Sequence, residues 1–400
     1  MDKSKASISS CLLSDARIVL PGSVTDRISL LVEDGRITRI FEPSTAQQAK
    51  AQVRIDLDGL TLFPGFIDVH IHGAGGVDTM EASADGLHQV ARFLAENGVT
   101  SWLPTLVPAP EEDYRRAARA IRQLMREQEG RPAAARVLGL HYEGPFINSA
   151  QCGALRPVHF RIFHEAADID ALAVVEEKGA ARMITVAPEI EGGIELVREL
   201  HGRGWIVSIG HTRAGVDALD RACEAGARHM THFMNAMSPL HHRTPGPIGW
   251  GLINDAITCD VIADGVHVDP LILKLVLRSK TPARIALISD AVAPTGLGDG
   301  EYRIWGETVN VFQGRTQNSR GSIAGSVITM RDAVRMMLSL DVPAEDVARM
   351  ASINPARLLG INQEYGSIEI GKRADLVALD GEGNVRLTLI GGRVAFENQL

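Results

Sequence analysis

The chain lacks long apolar runs and is poor in cysteine and in aromatic residues. Its 400 residues include four cysteines and only 4% aromatic residues. No stretch reaches the roughly 18 apolar residues that a membrane span requires, and the first 20 residues do not resemble a signal peptide. The cysteines are scattered without a CxxC pair, which argues against a disulfide framework and a thiolate metal site. We therefore expect a cytoplasmic protein with no membrane partner.

Positive charge is in deficit as well. Lysine and arginine number 41 against 49 aspartates and glutamates, and the formal net charge is -8 at pH 7. Such a chain has no global attraction for nucleic acid, which is therefore not an expected partner. With 45% hydrophobic and 22% charged residues, the composition is that of a folded globular protein. A small molecule is the expected ligand.

Both ends of the chain consist of short apolar runs separated by turns. Asp34-Gly35 lies between two such runs as in a β-hairpin, and Gly391-Gly392 interrupts a run near the other end. The predicted strands are 16–20, 28–33, 36–41 and 53–57 at the start, and 367–370, 375–379 and 385–396 at the end. We pair residues 1–64 and 351–400 into one small β-domain, from which residues 65–350 emerge as a second domain.

The middle of the chain alternates β-rich apolar runs with helical segments, such as 85–96 and 111–129. Eight apolar runs are present, at 66–72, 99–107, 137–146, 182–188, 206–211, 229–235, 257–268 and 284–290. Eight strand-helix repeats predict an α/β fold, a TIM-type (β/α)8 barrel. An open, doubly wound sheet is left as the alternative, because periodicity alone does not indicate closure.

Catalytic groups of such a barrel lie at the carboxyl ends of its strands. Polar residues of the metal-binding and acid-base types are found there, namely His70, His72, Glu143, His211, His267 and Asp290, and His232 lies within the sixth predicted strand. His70 and His72 are two residues apart, so both side chains leave the same face of one strand. Asp290 follows an apolar run, where an acid is costly to bury without a metal, a base role or a hydrogen-bonded partner. Taken singly each signal is weak, but together they predict one metal centre.

The composition of this set indicates which metal it suits. A lysine that bridges two metal ions would have to lie at the end of a barrel strand. None of the seven lysines falls at a predicted strand end, so such a bridge is excluded. Glu143, His211 and His232 form a His2Glu set that suits zinc, with iron, manganese and cobalt as other divalent candidates. Whether His70 and His72 complete a second site is left open, so one or two ions are expected.

Several motifs carry a resemblance to a known family. Residues 64–73, PGFIDVHIHG, and 366–377, GSIEIGKRADLV, resemble the amidohydrolase superfamily. The inner motifs are similar to those of the N-acetylglucosamine-6-phosphate deacetylases, and they are EGPF at 143–146, GHT at 210–212, THFMNAM at 231–237, DGVHV at 264–268, SDA at 289–291 and IAGS at 323–326. This resemblance implies a metal-dependent barrel with a small β-sandwich built from both termini, which works as a homodimer and hydrolyses the N-acetyl group of an amino-sugar 6-phosphate.

The same resemblance assigns roles to particular residues. It implies that Glu143, His211 and His232 hold the principal metal and that Asp290 is the catalytic acid and base. The residues that it places near the substrate are Ala154, Asn235, Ala236, His267 and Ala324. It implies further that Arg243 reaches the phosphate of a substrate bound in the partner subunit.

The chain departs from the family pattern at two positions. Leu155 stands where the family usually has a histidine near the acyl group, and Thr244 stands where an acid usually follows the arginine that matches Arg243. Leucine donates no hydrogen bond, and Arg156 is a possible substitute donor. The substrate alternatives left open are therefore another N-acyl amino sugar, such as N-acetylgalactosamine 6-phosphate, or another amide. Two further rivals are an amidohydrolase acting on a cyclic amide or an aminated base, and a silent metal-binding scaffold on the same fold.

A long segment, 293–326, separates the eighth run from the next helical stretch. Residues 302–305 and 308–312 are predicted to pair as a hairpin over the mouth of the barrel. A lid and an inert surface excursion are both consistent with this length.

Overall fold

The structure, a computed structural model, describes residues 10–42 and 50–398. The expectation that the chain begins without a signal peptide rests partly on residues 1–9, which lie outside the described residues. Within the described ranges, no helix has both the length and the apolar character of a membrane span.

Eight parallel strands form the barrel, and they confirm the eight predicted runs. In chain order they are Phe66–Ile71, Val99–Leu106, Gly139–Glu143, Ala181–Val186, Ile206–Ile209, His229–Met230, Thr258–Ile262 and Ile285–Ile288. Each is hydrogen-bonded to the next in parallel register, and a short strand, Arg136–Val137, also pairs with the second barrel strand. The sixth strand is two residues long, much shorter than the predicted run 229–235.

The first and eighth barrel strands meet at their carboxyl ends, which argues against the open-sheet alternative. The amide of Asp290 donates a hydrogen bond to the His70 carbonyl at 3.0 Å, and the amide of His72 donates to the Ala291 carbonyl at 2.8 Å. Ser289 also donates through its hydroxyl to the Asp68 carboxylate at 2.5 Å. These bonds join the first and the eighth barrel strand at one rim.

Helices follow the barrel strands, as the alternating pattern predicts. The α-helices are Ala84–Glu96, Glu111–Glu127, Ala167–Asp170, Gly193–Gly202, Val216–Ala225, Gly246–Ile253, Pro270–Lys280, Met330–Ser339, Ala344–Ala348 and Asn354–Leu358. Shorter 3-10 turns lie at Ser149–Gln151, Pro157–His159 and Pro282–Arg284, and a π-helix lies at Arg349–Ile353. The helix Ala84–Glu96 begins after Ser83, whose hydroxyl accepts a hydrogen bond from the Gly86 amide and so caps the helix.

Strands from both ends of the chain form one eight-stranded sheet. They are Ser10–Leu20, Ser23–Glu33, Arg36–Phe41, Val53–Asp56, Thr61–Pro64, Leu376–Leu379, Val385–Ile390 and Arg393–Glu397. The two ends of the chain join where Thr61–Pro64 pairs antiparallel with Leu376–Leu379. Buried side chains of this sheet, Leu30 and Leu387 among them, form an apolar cluster separate from the barrel core.

The predicted strand at 367–370 is wrong. Lys372 donates a hydrogen bond to the Ser367 hydroxyl at 2.6 Å and forms an ion pair with Glu369 at 2.7 Å. The segment therefore folds back on itself as a turn instead of pairing with a neighbouring strand. The domain boundaries at 64/65 and 350/351 stay a prediction, and Ala356, beyond the second boundary, packs in an apolar cluster with Ile67 of the first barrel strand.

The segment 293–326 contains the predicted hairpin. Gly300–Ile304 pairs antiparallel with Glu307–Phe312, which pairs in turn with Arg315–Asn318. Trp305 and Gly306 form the tight turn between the first two strands, both with positive φ.

Candidate metal and active site

Five of the predicted residues meet at the carboxyl end of the barrel. Oε1 of Glu143, the last residue of the third strand, lies 2.9 Å from Nε2 of both His211 and His232. His72 Nε2 lies 3.3 Å from the other oxygen of the same carboxylate, and His70 Nε2 lies 3.8 Å from Oε1. All five side chains are buried. Glu143 is thus shared by two triplets of donor atoms, each close enough together to hold one ion.

Three site residues have an unusual backbone conformation. The φ angles of His211, His232 and Asp290 are 47°, 31° and 50°, which lie in the left-handed region that favours glycine. Each residue stands one or two positions beyond the end of its strand. Such strain persists only where surrounding contacts fix it, and it is concentrated at functional sites. The expectation that His232 lies within a strand is therefore corrected, since it follows the strand and turns toward the rim.

The hydrogen bonding of His211 tests whether this set fits a cation. Its Nδ1 donates to the Gln151 carbonyl at 2.7 Å, which fixes the proton on that nitrogen. In the neutral ring, Nε2 then carries a lone pair that faces the Glu143 carboxylate at 2.9 Å. Two acceptors in that position need a positive charge between them. The donor set therefore fits a divalent cation with nitrogen and oxygen ligands.

The electrostatics of the site lead to the same requirement. Burial raises the pKa of Glu143, but hydrogen bonds with His211 and His232 lower it well below its usual range. Burial lowers the pKa of His72, yet its contacts with Asp290 and Glu143 raise that pKa to about 10. Two buried carboxylates thus draw protons onto neighbouring imidazoles. A cation replaces such protons, because metal ligands bind in their deprotonated forms.

Asp290 is placed within reach of the ion-binding cluster. Its side-chain oxygen Oδ1 lies 3.3 Å from His72 Nε2 and 3.4 Å from His70 Nε2. Its backbone is fixed on both sides, since its amide donates to His70 and its carbonyl accepts from the Ser326 amide at 2.7 Å. A carboxylate held in this way can exchange a proton with a reactant beside the metal.

A cavity of about 250 Å³ opens onto this cluster. Four of the predicted substrate residues line it, namely Ala154, Asn235, Ala236 and His267. The Asn235 side chain donates to the His232 carbonyl at 3.1 Å, and His267 is bound through Nδ1 to the Asp264 carboxylate at 2.6 Å. A larger cavity of about 430 Å³ lies at the amino ends of the barrel strands, and none of the predicted residues lines it.

Three further residues named from the sequence do not line this cavity, and their roles stay predictions. Arg243 is exposed on a loop beside His242 and does not line the cavity of its own chain. Ala324 is 1% exposed in a small apolar cluster, so its side chain does not face the cavity. Arg156 is exposed and donates to the Trp305 carbonyl at 3.4 Å, so it does not replace the donor that is missing at Leu155.

Two residues of the site were missed by the sequence reasoning. Asp260, inside the seventh strand, accepts hydrogen bonds from the backbone amide of His232 and from His229. An acid within an apolar run is costly unless it is paired, and this was the signal available for Asp260. Trp305 lines the cavity from the tip of the 293–326 hairpin, and sequence gave no sign of its direction.

Comparison with known proteins agrees with this geometry. Residues 61–395 match the amidohydrolase family. The chain is 36% identical to the N-acetylglucosamine-6-phosphate deacetylase of Bacillus subtilis (strain 168), over 97% of each chain. It is 37% identical to the N-acetylgalactosamine-6-phosphate deacetylase of Escherichia coli O157:H7, over 96% of this chain and 99% of that one. The crystal structure of N-acetylglucosamine-6-phosphate deacetylase from Pasteurella multocida matches with a TM-score of 0.88 and 30% identity, over 96% and 99% of the two chains.

Fold and site together define an amidohydrolase, an enzyme that hydrolyses an amide bond. Within that class the chain belongs to the N-acetylglucosamine-6-phosphate deacetylase family, which confirms the resemblance carried by its motifs.

Proposed function

We propose that the protein hydrolyses the N-acetyl group of N-acetylglucosamine 6-phosphate, releasing acetate and glucosamine 6-phosphate. The observation that carries the proposal is the convergence of Glu143, His211, His232 and Asp290 on one cavity at the barrel rim. Relatives named for this reaction match along nearly the whole chain.

The donor set suggests how a metal is held. Glu143, His211 and His232 would bind the principal ion, and His70 and His72 would share Glu143 in holding a second. Zinc suits these ligands best, and iron, manganese and cobalt accept the same set. A bound divalent cation acidifies water and polarises an amide carbonyl.

Asp290 would carry the proton through the reaction. Its carboxylate accepts a proton from the attacking water and returns it to the amine, which has to leave protonated. His72 Nε2, 3.3 Å from Asp290, would donate a hydrogen bond to the tetrahedral oxygen if a single ion is bound. The amide therefore has to lie between Asp290 and Glu143.

The remaining expectations concern the phosphate, the assembly and the compartment. Asn235, Ala236 and His267 would contact the sugar phosphate region. The exposed position of Arg243, away from the cavity of its own chain, supports its role on the phosphate of a substrate in the partner subunit of a homodimer.

The four cysteines are unpaired, which favours the reducing cytoplasm.

An acetate-release screen tests this function. Purified enzyme loaded with zinc, manganese, iron or cobalt is assayed with N-acetylglucosamine 6-phosphate, its galactose epimer and both unphosphorylated sugars. We expect the glucosamine 6-phosphate derivative to be the best substrate. No acetate from any of them, with metal bound at the site, would leave the protein as a silent scaffold and refute the proposal.

The galactose epimer is the second candidate. Leu155 replaces the histidine that is usual in the family, and one close relative carries the galactose specificity in its name. A higher kcat/KM for the galactose epimer in the same screen would select this candidate.

A further inference from the structure

Trp305 occupies the turn of a hairpin and enters the site cavity. It lies between Gly300–Ile304 and Glu307–Phe312, with a φ of 52°. Glycine and asparagine favour this conformation, and a tryptophan there is strained. Such strain persists where the side chain gains stabilising contacts in return, and the indole makes its contacts in the site cavity.

The indole lies against the residues that carry the chemistry. Its ring centroid is 5.1 Å from that of His72, with the planes at 76°. His72 in turn is 3.3 Å from the Asp290 carboxylate. Trp305 therefore contacts His72, which in turn contacts Asp290.

Two arginines tie Trp305 to the segment that contains Leu155. Arg156 donates to the Trp305 carbonyl at 3.4 Å, and Arg320, from the same insertion, donates to the Ala154 carbonyl at 2.7 Å. Leu155 is 3% exposed and lines the same cavity as Trp305. Both apolar side chains thus line one cavity, and hydrogen bonds join the segments that carry them.

The position of the amide indicates which end of the substrate would contact Trp305 and Leu155. This step rests on the proposed function, in which the amide lies between Asp290 and Glu143. Asn235 and His267 offer the polar groups that suit a sugar, and Trp305 and Leu155 offer the apolar surface that suits an acyl chain.

We propose that Trp305 and Leu155 form the acyl subsite and that Trp305 limits it to a short acyl group. The cavity of about 250 Å³ lies below the usual size of ligand pockets, which is roughly 300 to 1,000 Å³. Trp305 is a bulky part of the cavity lining beside His72, and its ring reduces the room that a longer acyl chain would need. The specificity for acetyl thus depends on the hairpin of the 293–326 segment together with Leu155, which lies in the loop after the third barrel strand.

The experiment compares N-acetyl, N-propionyl and N-butyryl glucosamine 6-phosphate in the wild type and in Trp305→Gly. Glycine suits the positive φ, so this change removes the wall without straining the turn. We expect the butyryl-to-acetyl ratio of kcat/KM to rise at least about tenfold, since one methylene in a filled apolar pocket is worth roughly 10-fold to 200-fold. An unchanged ratio in the folded variant overturns the proposal.

Two matched variants separate the wall from other roles. Trp305→Phe keeps an apolar ring but removes the indole N–H. It should keep the wild-type ratio, and a change as large as that of Trp305→Gly would assign the selectivity to the N–H instead. Phe312→Ala, at an exposed position on the same hairpin, should leave ratio and activity unchanged.

The remaining outcomes are also decisive. If Trp305→Gly fails to fold, Leu155→Ala opens the same subsite from its other side, and an unchanged ratio there overturns the proposal. A wild type that cleaves none of the three compounds would refute the proposed function. An active wild type whose variants keep its selectivity would refute only the acyl subsite.

Discussion

The carboxylate of Asp260 accepts a hydrogen bond from the backbone amide of His232, which follows the adjacent strand of the barrel. Its second oxygen lies 3.0 Å from His229 Nε2, so this fully buried acid is held on both sides. It keeps His232 in its left-handed conformation, directed at Glu143. Asp260 thus acts on the site without touching the substrate.

Removing this charge should weaken metal binding. We expect Asp260→Asn to lower the affinity for zinc by roughly 10-fold to 100-fold, as losses of supporting groups behind metal ligands do. Titration against a competing chelator measures the effect. Asp255→Asn, at an exposed position just before the strand that carries Asp260, is the control, and equal affinities of the two variants would contradict the assignment.

Loss of the shared ligand should have a larger effect on the metal. Glu143→Gln removes the charge that both triplets share, and we expect at least about a 100-fold loss of affinity. Metal content of the purified protein, measured by elemental analysis, checks this. The exposed Glu176→Gln should keep the wild-type content, and full occupancy in Glu143→Gln would mean that the site lies elsewhere.

Asp290→Asn should separate catalysis from metal binding. The amide side chain keeps the shape of the carboxylate but does not accept a proton from water. Since such groups contribute roughly 10²-fold to 10⁴-fold, we expect kcat to fall by that factor while the metal content stays unchanged. Acetate release and elemental analysis on one preparation measure both, and normal turnover would exclude Asp290 as the base.

The pairing of Asp264 with His267 predicts a dependence of stability on acid. Burial alone would raise the pKa of Asp264, but hydrogen bonds from the side chain and amide of His267 lower it below its usual value. A lowered pKa in the folded state stabilises the protein above the usual pKa of about 4 for an aspartate, and this contribution is lost as the pH falls below it.

We therefore expect Asp264→Asn to lower the unfolding free energy at pH 7 by about 1 to 3 kcal/mol. The difference from the wild type should shrink as the pH is lowered below 4, toward the lowered pKa of Asp264 in the fold. Denaturant unfolding at several pH values measures it. A difference that stays constant down to pH 2 would show that the charge of Asp264 is not involved.

The sequence predicted the barrel strands well because their apolar runs are continuous and separated by readable helices. It also placed Glu143, His211 and Asp290 at one rim, since each follows such a run. The predicted sixth strand is too long, because His229 and His232 lie in one continuous run. The run gives no sign that the His232 amide donates a hydrogen bond to Asp260. That contact joins two strands and has no trace in local periodicity.

The direction of side chains on the long insertion was beyond sequence reasoning. The hairpin at 302–312 was predicted from its alternation, but alternation does not indicate which residue of a turn reaches a distant cavity. Trp305 was therefore counted as part of a possible lid and not as part of the site. The role of Arg243 at the partner subunit stays a prediction from its motif, because a loop charge gives no local signal of which cavity it faces.

The joining of Thr61–Pro64 to Leu376–Leu379 has a consequence for synthesis of the chain. While the ribosome is still translating the barrel, the first of these strands has an open edge on which its final neighbour is missing. Unpaired edges recruit other strands and promote aggregation. Truncated messages should therefore yield insoluble products even when they encode every residue of the catalytic rim.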